Sequence, residues 1–292
     1  MENHNMWIPK IYQTEDTIFH YTKTATALEH ILFNKKLRLS DRNDSNDPIE
    51  NMTPSFSAGL IAGNQEELEN IQNITYDDSC KIKDDIKARI QQAKQVCFCM
   101  NDLSGKYDRE HIKPLEYYGC MKPRMWEQYA DNYNGVCLVL SKNKLLELLD
   151  DSYVHDKIKY VDYSTLRDNH NRTDLNDLRK KGYESYKKTC FDKIDKVIFR
   201  KHVDYSGENE YRICRFVENE IVEINIETAL KGIIVSGNNS DYFKDNLKEY
   251  AKEYQVKIIE VNWKNTGVEI NDPEWFLDLE RETKNDYNPN RD

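Results

Sequence analysis

Apolar positions along the chain fall into short runs of two periodicities. Ile18-Phe19-His20-Tyr21-Thr22 is β-branched and aromatic and predicts a short strand. Thr24 is placed to cap a following helix, in which Ala27, Leu28, Ile31 and Leu32 recur at helical spacing. Leu37-Arg38-Leu39-Ser40 predicts a second strand, followed by a polar loop from Asp41 to Pro48. Residues 64 to 95 predict helices, with Ile82, Ile86 and Ile90 as one stripe, and Gln95 to Met100 predicts a central strand. A polar loop or lid is expected over residues 101 to 122, then a helical turn that places Trp126 and Tyr129 on one face. Asn134-Gly135 marks a turn into the buried strand Val136 to Leu140, and Lys142 to Leu149 predicts a helix. Ile158 to Tyr163, Leu230 to Ser236 and Val256 to Trp263 read as strands, and an amphipathic helix is expected over 240–254.

These elements predict an α+β fold. We expect a single domain over residues 1–278, with a helical insertion near 164–195 and a polar tail over 279–292. The alternation of strand and helix is too irregular for a doubly wound sheet. No GxGxxG or Walker A motif occurs, which removes the common nucleotide folds.

The formal net charge of −10 argues against broad adhesion to nucleic acid or an anionic membrane, and leaves room for a local basic groove. The seven cysteines are odd in number and include no CxxC pair, so reduced, buried thiols of a cytoplasmic protein are expected. The His and Cys residues lack zinc-ligand spacing, and no metal is expected. Met1 to Lys10 has no apolar signal-like core, and no run approaches the ~18 apolar residues of a membrane span.

Four polar clusters are able to carry chemistry. His20 and Thr22 share one strand face, with Tyr21 on the other, suited to a ribose or carboxamide; the alternative is a plain surface strand. The stretch Ser40 to Glu50 holds Arg42 in acidic surroundings; it lacks the spacing of a calcium loop, and a salt bridge is the alternative for Arg42. Trp126 and Tyr129 suit the stacking of a planar ring, or the packing of a helix on a sheet. Glu208 and Glu210 share a face if the segment is extended, where like charges repel unless a ligand or cation compensates. Such a pair is able to stabilise a developing cation and to orient a nucleophile, or else to form a solvated edge with Arg212 and Lys201.

The order Phe-His-Tyr-Thr, Leu-Arg-Leu-Ser-Asp, Asn-Asp-Pro, Cys-Phe-Cys, Met-Trp-Glu-Gln-Tyr-Ala and Glu-Asn-Glu-Tyr-Arg resembles a large bacterial family catalogued as a domain of unknown function, over residues 18 to 262. The opening His-Tyr-Thr strand and its helix also resemble ADP-ribosyltransferases, among them the DNA-modifying DarT toxins and the RNA-modifying toxins of toxin–antitoxin–chaperone phage-defence modules. This resemblance implies a split, bent β-sheet that holds NAD as co-substrate. It implies nicotinamide or ribose contacts from His20 and Thr22, weaker cofactor contacts from Tyr21 and Arg42, and stacking by Tyr129 supported by Trp126. It implies Glu210 as catalytic carboxylate with Glu208 facing the target. The Ser-Thr-Ser element of the arginine-modifying branch is missing, and the distance from Tyr129 to Glu210 requires an insertion.

The expected activity is NAD-dependent ADP-ribosyl transfer, by a toxin modifying nucleic acid, RNA before DNA, and held silent by an antitoxin. Transfer to protein, NAD hydrolysis and a non-catalytic NAD, ADP-ribose or phage-component sensor are the alternatives. Glu210→Gln is expected to fold and to lose transfer. The basic stretch Arg179, Lys180, Lys181, Lys187, Lys188, Lys193, Lys196, Arg200 and Lys201, interleaved with Tyr183, Tyr186 and Phe191, is the candidate nucleic-acid groove; a solvated face balanced by Glu184, Asp192 and Asp195 is its alternative.

Overall fold

The structure, a computed structural model, describes residues 8–44, 57–59, 76–103, 115–167, 172–265 and 267–271. The strands among them are β1 (Thr17–Thr22), β2 (Lys36–Asp41), β3 (Ser57–Gly59), β4 (Ala93–Met100), β5 (Val136–Ser141), β6 (Tyr153–Lys157), β7 (Lys159–Val161), β8 (Arg172–Asp174), β9 (Arg200–His202), β10 (Glu210–Phe216), β11 (Val222–Asn225), β12 (Leu230–Ser236), β13 (Lys257–Lys264) and β14 (Gly267–Asn271). The α-helices are α1 (Thr24–Thr26), α2 (Tyr76–Gln91), α3 (Pro123–Gln128), α4 (Lys142–Leu146), α5 (Tyr163–Arg167), α6 (Leu175–Lys181), α7 (Tyr183–Val197) and α8 (Asp241–Glu253). The fold is α+β, with a large mixed sheet. The expected tail 279–292, and the Asn46-Asp47-Pro48 part of the polar loop, lie outside the described residues.

The chain divides into two compact units, with boundaries inside β2, β4 and β11 and after Leu149. The first comprises residues 1–38, 98–149 and 223–292. Its centre is β5, Val-Cys-Leu-Val-Leu-Ser, buried along its whole length because it pairs antiparallel with β1 on one side and β12 on the other. β12 runs parallel to β13, a connection that needs a crossover, and α8 supplies it with Leu247 and Ala251 turned inward. β14 closes this edge antiparallel to β13. One face of the sheet carries an aromatic core: Tyr12, Phe19, Tyr21, Tyr118 and Trp126 with Cys99, Cys120 and Cys137. Gly232 is required there, since a Cβ would collide with the Tyr12 hydroxyl. The segment expected to be one regular helix after β1 is α1 continued as a wider π turn over Ala27–Leu32. Thr24 does not cap it; Lys23 holds that position without a side-chain bond.

The second unit comprises residues 39–97 and 150–222. The Ile82, Ile86 and Ile90 stripe of α2 packs with Tyr186, Ile194 and Ile198 of the α7 segment, and with Leu178, Phe199 and Cys214. Arg89 pins α2 to α7, its guanidinium 3.6 Å from the Phe216 ring centre and 3.1 Å from Asp195. β10 pairs antiparallel with β6, and the short β7 and β9 pair parallel, which sets Tyr160 beside Lys201 and Val161 beside His202. All seven cysteines are free thiols, and burial pushes Cys120 up to about 12.

Candidate functional site

The acidic doublet lies where β9 leads into β10. The segment is not extended as the alternation of residues suggested. Val203–Glu208 forms a 3-10 turn, Asn209 follows in the left-handed region at φ 46°, and only Glu210 belongs to the strand. Asn tolerates that conformation because its short polar side chain carries little steric penalty there. The turn and the left-handed step bring both carboxylates to one ammonium. Lys201 Nζ stands 2.8 Å from Glu208 Oε2 and 3.5 Å from Glu210 Oε2.

Arg212 completes the cluster. Its Nε donates to Glu210 Oε1 at 2.7 Å, and another nitrogen donates to the Ile198 carbonyl at 2.9 Å. The two carboxylates and two cations balance, which is the condition for burying all four. Their side chains are 1% to 5% exposed. The ion pairs with Lys201 and Arg212 are thus those foreseen for a solvated edge, but they lie in the interior.

Aromatic groups line the same cluster. The Tyr205 ring centre is 4.6 Å from Lys201 Nζ, within cation–π range. The Tyr160 oxygen accepts the Glu210 N–H at 2.9 Å, and burial drives that phenol well above its ordinary range, so it stays protonated. Behind Lys201, His202 accepts the Asp204 N–H and stacks on Tyr163, with ring centres 4.0 Å apart.

The remaining candidates distribute as follows. His20 is half-buried with its ring 5.8 Å from Phe98, and Thr22 shares its strand face. Tyr21 points the other way, into the aromatic core; its hydroxyl donates to the Gly119 carbonyl at 2.7 Å and its ring meets Trp126 edge-on at 5.4 Å. Trp126 is fully buried, and its indole N–H donates to the Cys120 carbonyl at 2.9 Å. His20 and Trp126 therefore occupy opposite faces of β1. Tyr129 caps the end of α3, its N–H bonded to the Met125 carbonyl at 3.0 Å, and is 38% exposed, whereas Trp126 is buried. Arg42 is buried in a single 3-10 turn, Arg42–Asp44.

The basic stretch forms α6 and α7, but its aromatics serve packing. Tyr186 is buried in the second core, and Tyr183 and Phe191 pack against it. Tyr183 donates to Asp85 at 2.8 Å, Lys187 pairs with Asp85 at 2.7 Å, and Lys201 is buried in the carboxylate cluster. What remains outside is Lys180, Lys181, Lys188 and Lys193, interspersed with Glu184 and Asp192.

Sequence reasoning missed Tyr160 and Tyr205. It placed the turn after α3 at Asn134-Gly135 but not its left-handed backbone, in which Asp131, Asn132 and Tyr133 take φ of 51°, 50° and 64°. The composition Asp-Asn-Tyr-Asn-Gly was the available signal.

Both the α3 turn and the carboxylate cluster fall within one recognised segment. Residues 125–213 match the model of the DUF2971 family, described as protein of unknown function. The matched segment takes in Trp126, Tyr129, Lys201, Glu208, Glu210 and Arg212. No curated protein and no solved structure matches the chain. Among the described residues no helix is long and apolar enough to cross a membrane.

Proposed function

We propose that the chain transfers ADP-ribose from NAD, with Glu210 as the working carboxylate and Glu208 beside it. The unequal hold on Glu210 carries this reading. Oε1 is fixed by a charge-assisted bond from Arg212 at 2.7 Å, whereas among the described residues Oε2 meets only the 3.5 Å approach of Lys201. One oxygen sets the carboxylate's orientation, and the other is the more readily offered to a reacting centre.

In the step this implies, the bond between the ribose anomeric carbon and the nicotinamide nitrogen breaks. Its electron pair leaves with nicotinamide, discharging the pyridinium. Positive charge grows on the ribose, and Glu210 Oε2 stabilises it more than it stabilises the ground state. The acceptor's nucleophilic atom then bonds to the anomeric carbon, and its proton passes to Glu208. The same residues serve when water is the acceptor.

A specific observation favours a second reading, a non-catalytic ligand-binding module. Both carboxylates are buried and ion-paired, so any reactant has to displace a cation to reach them.

Incubating the full chain with NAD labelled in either half decides between them. Transfer releases nicotinamide and moves the adenine label into RNA, DNA, protein or free ADP-ribose. NAD that binds but stays intact with every acceptor supports the binding module. NAD that neither binds nor breaks sinks both.

A further inference from the structure

The two cations of the buried cluster are not equivalent. Arg212 is 1% exposed and tied at both ends, to Glu210 and to the Ile198 carbonyl. Lys201 is a point charge on a long flexible stem, which holds no fixed fork geometry. Its ammonium sits between two carboxylate oxygens and the face of Tyr205, at 2.8, 3.5 and 4.6 Å. Carboxylates plus an aromatic face form the chemistry that recognises organic cations. The outer wall is also thin. It is the short six-residue 3-10 helix Val203–Glu208, in which Val203, Asp204, Ser206 and Gly207 are exposed.

We infer that the surroundings of the Lys201 ammonium are a cation cage, occupied by the chain's own lysine, and that a pyridinium ring takes the lysine's place. A pyridinium spreads its charge over a planar ring and is more weakly hydrated than an ammonium, so moving it into a buried cage costs less. It also presents a flat face to Tyr205. Lysine withdrawal exposes Glu210 Oε2 and Glu208 Oε2 together, the oxygens that hold the ammonium. The cage thus makes Lys201 an internal competitor that keeps the carboxylates neutralised until a cation arrives. This inference builds on the site of the proposed transfer, naming the part of the dinucleotide it takes, but cation binding needs no turnover.

Calorimetric titration of the full chain with 1-methylnicotinamide, a fixed pyridinium, tests it, with neutral nicotinamide as the matched control. The cation is expected to bind in preference to nicotinamide. Lys201→Met removes the competitor and is expected to bind the cation about tenfold more tightly, as the competent state is no longer a minor one. Tyr205→Leu removes the aromatic wall and is expected to bind about threefold more weakly. Equal binding of the neutral and charged rings overturns the cage. So does a Lys201→Met protein that melts like the parent and gains nothing. If Lys201→Met does not fold, the parent and Tyr205→Leu decide, and unchanged affinity in Tyr205→Leu overturns it. Preference for methylguanidinium over 1-methylnicotinamide overturns the pyridinium assignment in favour of a basic acceptor group. Cation binding with no nicotinamide release from NAD upholds the cage and ends the transfer reading.

Discussion

Two of the left-handed turns among the described residues deliver the chain into strands under opposite forces. Asn209 leads into β10 amid Lys201, Glu208, Glu210 and Arg212, four buried charges. Asp131–Tyr133 leads into β5 and is fastened by neutral groups. The Ser236 hydroxyl donates to the Tyr133 carbonyl, and the Asn239 amide donates to the Gly135 carbonyl at 3.0 Å. The Thr24 hydroxyl lies 2.8 Å from the Asn134 carbonyl and 2.7 Å from Asn239 Oδ1. Gly135 closes the turn because a Cβ there would collide with the Thr22 carbonyl and with Ala130.

The difference is one of reserve. A neutral hydrogen bond contributes about 1 kcal/mol net, and its loss leaves a modest desolvation penalty. A buried ion pair contributes little net stability against apolar replacements, yet losing one member strands a charge. The neutral turn is therefore built to stay as it is. The charged one is balanced at a high local cost, and one substitution or one competing cation shifts it.

The largest expected effect follows from stranding a charge. Arg212→Met should destabilise the protein by about 3 to 5 kcal/mol in denaturant unfolding, because Glu210 keeps only the distant Lys201 contact. Glu210→Gln belongs to the same class. It retains an oxygen for Arg212 but leaves two cations against one carboxylate, so the normal folding expected from sequence gives way to a measurable stability loss. Any assay of that variant has to be read beside its unfolding curve, with a transfer loss of about 10² to 10³ expected at equal folded fraction. An Arg212→Met protein as stable as the parent would remove the contrast between the turns.

Asn239→Ala tests the neutral side. It strips one donor from the Gly135 carbonyl and one partner from Thr24, and should cost about 2 kcal/mol. Since no titrating group is involved, that cost should be the same at pH 5 and pH 8. A cost that vanished at either end would mean that charge, not neutral bonding, holds the α3 turn.

A half-buried charge cluster supplies the intermediate case. Asp16 accepts from Ser141 Oγ at 2.7 Å, from the Asn143 N–H at 2.7 Å and from Lys231 at 2.6 Å. Burial alone would raise this carboxyl, but the Lys231, Asn143 and Ser141 donors outweigh it and hold it below 3.8. A carboxyl depressed on folding adds stability above its unfolded value, and that stability is lost as pH falls through the folded one. Asp16→Asn should therefore cost about 1.5 kcal/mol at neutral pH, and the gap to the parent should close below pH 3.8. A gap that persisted in acid would trace to packing rather than to the carboxylate.

What was legible in the sequence follows the same division. β1, β5, β12 and α8 were foreseen because each buries a face whose period is written in adjacent residues, as in Val136 to Leu140. β11 and β6 were not, since much of each faces solvent and only a long-range partner makes it a strand; β14 was not, since it has no buried residue to mark it although it pairs with β13, its neighbour in sequence. At the site, Lys201, Glu208, Glu210 and Arg212 were all named, yet their burial was invisible. Charged residues read as surface until a balancing set is assembled in space, and Tyr160 enters the set through the β7–β9 pairing, 41 residues away in sequence from Lys201. Trp126 and Tyr129 were paired by helical spacing, and Tyr129 keeps the helical bond to Met125 as the C-cap of α3, but their different burial was not legible.

The smallest effect concerns the backbone of the neutral turn itself. Three consecutive non-glycine residues in the left-handed region are costly, about 1 kcal/mol each or more for residues with a Cβ. Asp131 is exposed and sits at φ 51°. Asp131→Gly removes that penalty and incurs about 0.5 kcal/mol of extra unfolded-state entropy, for a net gain of about 0.5 kcal/mol. Asn132→Val, which forces a β-branched residue to φ 50°, should move stability the other way by more than 1 kcal/mol, on the order of the left-handed penalty. Paired unfolding curves for the two variants measure the strain directly. If Asp131→Gly gains nothing while Asn132→Val loses, the strain is confined to the middle of the turn. If neither moves, the bonds from Ser236, Asn239 and Thr24 hold a turn that was never strained, and the two left-handed turns differ in charge alone.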